Sequence, residues 1–331
     1  MSNISVMRRT ILATGLTGLV TALLPFRSAL AAYPEQTIKW IVAYAAGGGT
    51  DTLARILAET MSPKLGKAIV IENRPGGATN IGATAAAKAD PDGHTLFTAD
   101  NGTLVFNPAL FRKLPYDPAR DFRPIGLMAR FPLVVAVKKD SASTSVRDLV
   151  DRARAQPGAI NYASPGVGSP HHLTMERLSR EIGVRFNHVP YRGAAPALND
   201  LVGGHVESMV VDYPSGLGFL REGNIRPLAV CSAARLGSLP EVPTVQEALG
   251  LQGFEAFAWQ GLVVPKATPD AIVDRLSAEL AAALRHEPVL ERLRAVGLEP
   301  LTGGPADMER LIEAERAVWV PLIRSLGITL D

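Results

Sequence analysis

The chain has 331 residues, with 34 Lys and Arg against 32 Asp and Glu, for a net charge of +2. That balance excludes the basic face expected of a nucleic-acid binder or of a protein drawn to anionic membranes. A single cysteine, Cys231, excludes an internal disulfide and a cysteine-rich metal site.

The first 31 residues read as a cleaved export signal. Arg8 and Arg9 form a positive start, Thr10 to Phe26 carries no charge, and Ala29-Leu30-Ala31 is a small-x-small cleavage site. The uncharged run has 17 residues and contains Gly15 and Gly18, whereas a membrane span needs about 20 predominantly apolar residues. "RRTIL" weakly resembles a twin-arginine signal, but an ordinary secretory signal is the preferred reading. No cysteine stands at the cleavage site, which argues against a lipoprotein. Cleavage after Ala31 leaves 300 residues of net charge −1. An exported chain without disulfides points to a bacterial periplasm.

Strand and helix patterns then alternate. "IKWIVAYA" (38–45) predicts a strand, and Asp51 to Met61 a helix with Leu53, Ile56, Leu57 and Met61 on one stripe. "AIVIENRP" (68–75), "NIGATAAAKA" (80–89) and "HTLFTAD" (94–100) continue as strand, helix and strand. This βαβαβ order predicts parallel strands covered by helices. The order restarts after a strand at "LVVAVKKD" (133–140): a helix from Val146 to Gln156, a strand at "INYASPG" (160–166), and a helix ending near Ile182. "FNHVPY" (186–191), "APALNDLVGG" (195–204) and "VESMVVDY" (206–213) then complete a second unit as strand, helix and strand. "AFAWQGLVVPKA" (256–267) reads as a strand returning to the first domain, and Pro269–Arg285, Pro288–Val296 and Ala306–Leu326 as three helices. The expected division is a first domain of residues 32–130 and 259–331 and a second of 131–258, joined by two extended crossings around a cleft.

Each unit opens with a strand, a glycine turn and a helix. In open α/β sheets, ligands sit outside the carboxyl ends of strands, where both turns lie. The first turn is Ala46-Gly47-Gly48-Gly49-Thr50-Asp51 and the second Ser164-Pro165-Gly166-Val167-Gly168-Ser169-Pro170-His171. Glycines let backbone N–H groups approach a ligand, and a helix N-terminus favours an anion. The alternative for each is a capped turn, with Asp51 as the cap of the first. The dinucleotide and P-loop patterns are both absent, and neither loop carries a cation of the kind a phosphate recruits. A carboxylate is the better fit. Asp100-Asn101 and Asp212 stand at strand ends as cleft wall or turn caps, and Trp259 near the returning strand as cleft wall or core. His171 and His172 are adjacent and make a poor chelating pair; packing or a helix-terminal place is the preferred reading. The patterns of a nucleophile elbow, a zincin helix or a CxxC pair are absent, so no catalytic residue, metal or cofactor is assigned.

"YPEQTIKWIVAYAAGGGTDTLAR", "IENRPGGATNIGA", "NPALFRKLPYDPARDFRPIGL", "INYASPGVGSPHHL", "HVPYRGAAPALNDLVGG" and "GLVVPKATP" occur in this order. The series resembles the Bug (TctC-type) substrate-binding proteins of tripartite tricarboxylate transporters over about residues 33 to 325. The resemblance implies an α/β type II periplasmic binding protein, with two doubly wound domains joined by a two-strand hinge around an interdomain cleft. It implies no catalysis, a small carboxylate as ligand and membrane transporter subunits as partners; nucleic acid is not a partner, and a monomer is expected. The first ligand loop is then Tyr44 to Asp51, including Ala46, where the family usually has proline. The second is Ser164 to His171. Val167 replaces a commoner small or polar residue. Val211-Asp212 stands where Asp-Asn is common. Two rivals remain open: a sensor presenting the same closed form to a receptor kinase, and an exported carboxylate-acting enzyme.

Overall fold

The computed structural model describes residues 33–330. The export signal and its cleavage site lie outside the described residues. The chain begins with β1 (Ile38–Val42), α1 (Gly49–Leu65), β2 (Ile69–Asn73), α2 (Asn80–Ala87) and β3 (Thr95–Asp100). A π-helical turn, Gly102–Phe106, leads into α3 (Asn107–Leu110), followed by α4 (Pro118–Asp121) and the 17-residue strand β4 (Phe122–Lys138). The second unit comprises α5 (Val146–Ala155), β5 (Asn161–Ser164), α6 (Pro170–Ile182), β6 (Asn187–Pro190), α7 (Ala194–Gly203) and β7 (Ser208–Asp212). Next come α8 (Tyr213–Arg221), β8 (Ile225–Val230), α9 (Val245–Leu249) and β9 (Phe257–Pro265). The chain closes with α10 (Asp270–Ala283), α11 (Glu287–Ala295), β10 (Glu299–Pro300) and α12 (Pro305–Leu326).

The strands form one sheet in the order β2-β1-β3-β9-β4-β7-β5-β6, with β8 and β10 also paired to β4. β1 is parallel to both β2 and β3, and β5 is parallel to both β6 and β7. The two βαβαβ units therefore make the two flanks, and antiparallel β4 and β9 join them. β4 pairs with β9 from Phe122 to Pro132, then with β7 from Leu133 to Val137. Its exchange of partners falls at Pro132/Leu133. β9 pairs with β4 along its whole length, Phe257 to Pro265, and on its other edge with β3 from Gln260 to Val263, so Phe257–Trp259 reach beyond β3. From Pro34 onward the chain is one compact unit.

The helix stripe predicted for α1 is its core face: Leu53, Ile56, Leu57 and Met61 are all buried. Met61 is not the end, because Pro63 is accommodated in the last turn and the helix stops at Gly66, whose left-handed φ of 76° supplies the C-cap. β1 is buried at four of its five residues, as a parallel strand covered on both faces should be. No helix among the described residues is long and apolar enough to cross a membrane.

Candidate functional site

The first glycine loop is held open by a carboxylate brace. Asp51, in the first turn of α1, is buried. Its Oδ2 accepts from Gly47 N and Arg55 Nε, each at 2.9 Å, and its Oδ1 from Asn73 Nδ2 at 2.9 Å. Asn73 Nδ2 also donates to the Tyr44 carbonyl. Burial works against the charge, but the bonds from Arg55, Gly47 and Asn73 hold the carboxyl below its usual range. Asp51 is thus not the N-cap: Gly48 is, and the acid shapes the loop. Gly47, at φ 84°, adopts a backbone conformation that favours glycine. Thr50 Oγ1 is likewise engaged, accepting from Gln260 Nε2 of β9 at 3.2 Å. What the loop presents is main chain. Thr52 N returns to Gly48 O, and the preceding N–H groups of Gly48, Gly49 and Thr50 have no acceptor in the hydrogen bonding of loop and helix.

The second loop is tied more tightly to itself. Ser169 caps α6 by accepting from His172 N, and Gly168 N donates to His172 Nδ1 at 3.0 Å. Ser164 Oγ donates to Gly166 O, accepts from Gly166 N and lies 2.7 Å from His188 Nε2. His172 stacks on His188, with ring centroids 3.9 Å apart, and His188 stacks on Tyr162. Burial, followed by the neighbouring His188, pushes His172 down to about 3, and burial pushes His188 down to about 4. Both rings are neutral at neutral pH, as His172 Nδ1 must be to accept from Gly168. Pro165 and Pro170 carry no N–H, and Ser169 N reaches Gly166 O. Val167 and His171 are left with N–H groups open to a ligand, and Val167 is exposed at the tip.

The structure brings both loops to one place. A Cβ at Gly49 would lie 2.8 Å from Phe131 Cε1 and 3.6 Å from Pro214 Cβ, so the start of α1 abuts β4 and α8. Asp212 caps α8 through Ser215 N and accepts from His171 Nε2, both at 3.0 Å, linking α8 to the second loop. Asp212 feels burial most, yet His171 and Ser215 hold it below its usual range. Asp100 accepts from Thr103 N and Oγ1 on one oxygen and from the Tyr44 hydroxyl on the other. Tyr44 keeps 36% of its surface exposed, while burial of its hydroxyl end, Asp100 and Asp212 raise its pKa.

Two residues read as cleft wall, each with an alternative, are buried. Trp259 is fully buried in the core. Asn101 is buried too, and its Nδ2 donates to Phe257 O and, at 3.4 Å, to Glu315 Oε2. Side chains alternate along a strand, so Gln260, next to Trp259 in β9, points the other way and reaches Thr50. Asp100 ends β3 and reaches Tyr44, while Asn101 already has helical backbone beyond the strand. Sequence reasoning also missed Asn73, Arg55 and His188. The fold brings Asn73 and His188 to their partners, with no local motif to announce them, whereas Arg55 stands four residues after Asp51, the i,i+4 spacing of a helical ion pair. Two surface grooves, of about 470 Å³ beside α3 and α12 and 270 Å³ beside α10, touch neither loop.

The sequence profile described as the tripartite tricarboxylate transporter family receptor matches residues 53–328. The chain belongs to this family. Among solved structures, it is similar to Rpa4515 of R. palustris with adipate, at 38% identity and a TM-score of 0.83 over 90% of this chain and 99% of that one. MatC (Rpa3494) from Rhodopseudomonas palustris with bound malate is 34% identical with a TM-score of 0.79, over 88% and 100% of the two chains. The periplasmic binding protein BugD is 33% identical with a TM-score of 0.79, over 90% and 100%. The family's fold is that of type II periplasmic binding proteins, and the sheet described above has it.

Proposed function

We propose that the protein is a periplasmic solute-binding protein that takes a small carboxylate between the Tyr44–Asp51 and Ser164–His171 loops. Closure of two lobes, 32–130 with 259–331 against 131–258, then presents the ligand to membrane subunits of a tripartite tricarboxylate-type transporter. One observation carries this reading: two strand–glycine-loop–helix constructions, at the carboxyl ends of β1 and β5, converge with open N–H groups. The adipate and malate of the two relatives support the ligand class. Hydrogen bonds to a charged group contribute about 1.5–3 kcal/mol each. A few of them reach the roughly −8 kcal/mol of micromolar binding.

An exported hydrolase would need a nucleophile and a base, and the Ser164–His188 contact is the pair to weigh. Ser164 is fully buried and its hydroxyl already serves Gly166 on both sides. His188, pushed down to about 4, is a weak base. This pair anchors the loop. Isothermal calorimetry over a panel of small carboxylates tests the reading: binding without turnover supports it, and no binding by any acid contradicts it.

A further inference from the structure

Charges close to the two loops are almost all spoken for. Asp51 holds Arg55, Glu72 holds Arg74 and Lys39, and Asp212 holds His171. Asp100 is saturated by Thr103 and Tyr44. A cation bound to the second loop's edge, Arg192, has no such partner among the described residues. The turn after β6, Tyr191-Arg192-Gly193, is bonded to the second loop at both ends: Tyr191 N donates to Ser164 O at 2.9 Å and Gly193 N to Pro165 O at 3.0 Å. Arg192, between them, is exposed and makes no ion pair among the described residues. The nearest acid of α7, Asp200, is taken by the Tyr191 hydroxyl and by His205.

Resting on the carboxylate reading above, we propose that Arg192 receives the second carboxylate of a dicarboxylate ligand and so selects diacids over monoacids. The glycine loops offer only main-chain N–H groups, which suit one carboxylate. A second carboxylate needs its own counter-charge as it leaves water. Arginine's planar fork matches a carboxylate in two parallel bonds, and its long arm starts from a turn anchored to the ligand loop. The two acids that would repel a dianion, Asp100 and Asp212, already accept from protein donors and are partly neutralised by them.

Calorimetry with two matched pairs tests this: adipate against hexanoate, and malate against 2-hydroxybutanoate, where a methyl replaces one carboxylate. Arg192→Gln should weaken the diacid that binds wild type by tenfold or more, about 1.4 kcal/mol, while its monoacid partner is unchanged. Arg192→Lys should recover part of the loss. The substitution is at an exposed turn, so the melting temperature should not move. Equal losses for diacid and monoacid, or an unaltered diacid affinity, would overturn the assignment, as would wild-type protein that binds a monoacid but neither diacid. Wild-type protein that binds none of the four removes the carboxylate reading and this assignment together.

Discussion

Replacing Asp51 by alanine should loosen the first loop without touching the ligand. The carboxylate is 3% exposed and takes three bonds, from Gly47 N, Arg55 Nε and Asn73 Nδ2. Arg55 is half exposed, so its share is small. The other two bonds end on a buried charged group and contribute about 1.5–3 kcal/mol each. Water re-enters the space and satisfies the freed donors in part, so a net loss of about 2–4 kcal/mol is expected. Gly47 is then free to leave its left-handed conformation. If the binding-competent loop is populated about a tenth of the time, the apparent Kd rises about tenfold. Asp51→Asn, which keeps one acceptor, should fall between. Urea denaturation and calorimetry with adipate read the two effects separately. The pH dependence has a defined sign. Burial opposes ionisation, but Arg55, Gly47 and Asn73 lower the folded pKa. The contribution is therefore complete above the unfolded value of about 3.9 and disappears as pH falls through the lower folded value. An Asp51→Ala protein with wild-type stability and affinity would refute the brace.

Other outcomes follow from the same geometry. Gly48→Asp should fold normally, because its Cβ would meet only Ala45 O at 3.6 Å, yet lose carboxylate binding by calorimetry through like-charge repulsion. Gly168→Ala should destabilise by about 1–3 kcal/mol in urea melts, since its φ is 75° and the added Cβ would lie 2.6 Å from Leu110 Cδ1. His172 and His188 are held neutral to about 3 and 4, so melting temperature should fall as pH drops below the unfolded value of about 6.5, and His188→Gln should flatten that slope. Burial raises the pKa of Glu315, so stability should decline as pH rises from about 4.3 to the folded value, and Glu315→Gln should melt no lower than wild type at pH 8. Intact mass of the exported protein should place its first residue at Ala32.

The alternation of apolar strands and amphipathic helices was legible because each signal is local. The stripe of α1 and both glycine turns need only neighbouring residues. β4 was read only from Leu133 because Pro124, Gly126 and Pro132 break its apolar run, and proline argues against a central strand. The structure accommodates Pro124 and Gly126 at a register irregularity, with a second at Leu127/Ala129, and Pro132 where β4 changes partner. Gly126 is needed there: a Cβ would lie 2.7 Å from the Gly303 carbonyl oxygen. α8 and β8 were missed because Pro214, Gly216 and Gly218 obscure the helical pattern, although Asp212 four residues before Gly216 is a recognisable cap. The loops' chemistry was legible as glycine and helix N-terminus. Their support was not, because Asp51 meets Asn73 22 positions away, Tyr44 meets Asp100 56 away and His171 meets Asp212 41 away. The position of Asp212 at a strand end was visible, but only the fold shows that its carboxylate is occupied.

Amide shifts on titrating the 15N-labelled protein with adipate test the central claim most directly. A carboxylate gripped by main chain at both loops should move the N–H resonances of Gly48, Gly49 and Thr50 together with those of Val167 and His171, along one saturation curve. Saturable binding that leaves both loops unmoved, or that shifts only residues of the groove between α3 and α12, would contradict it.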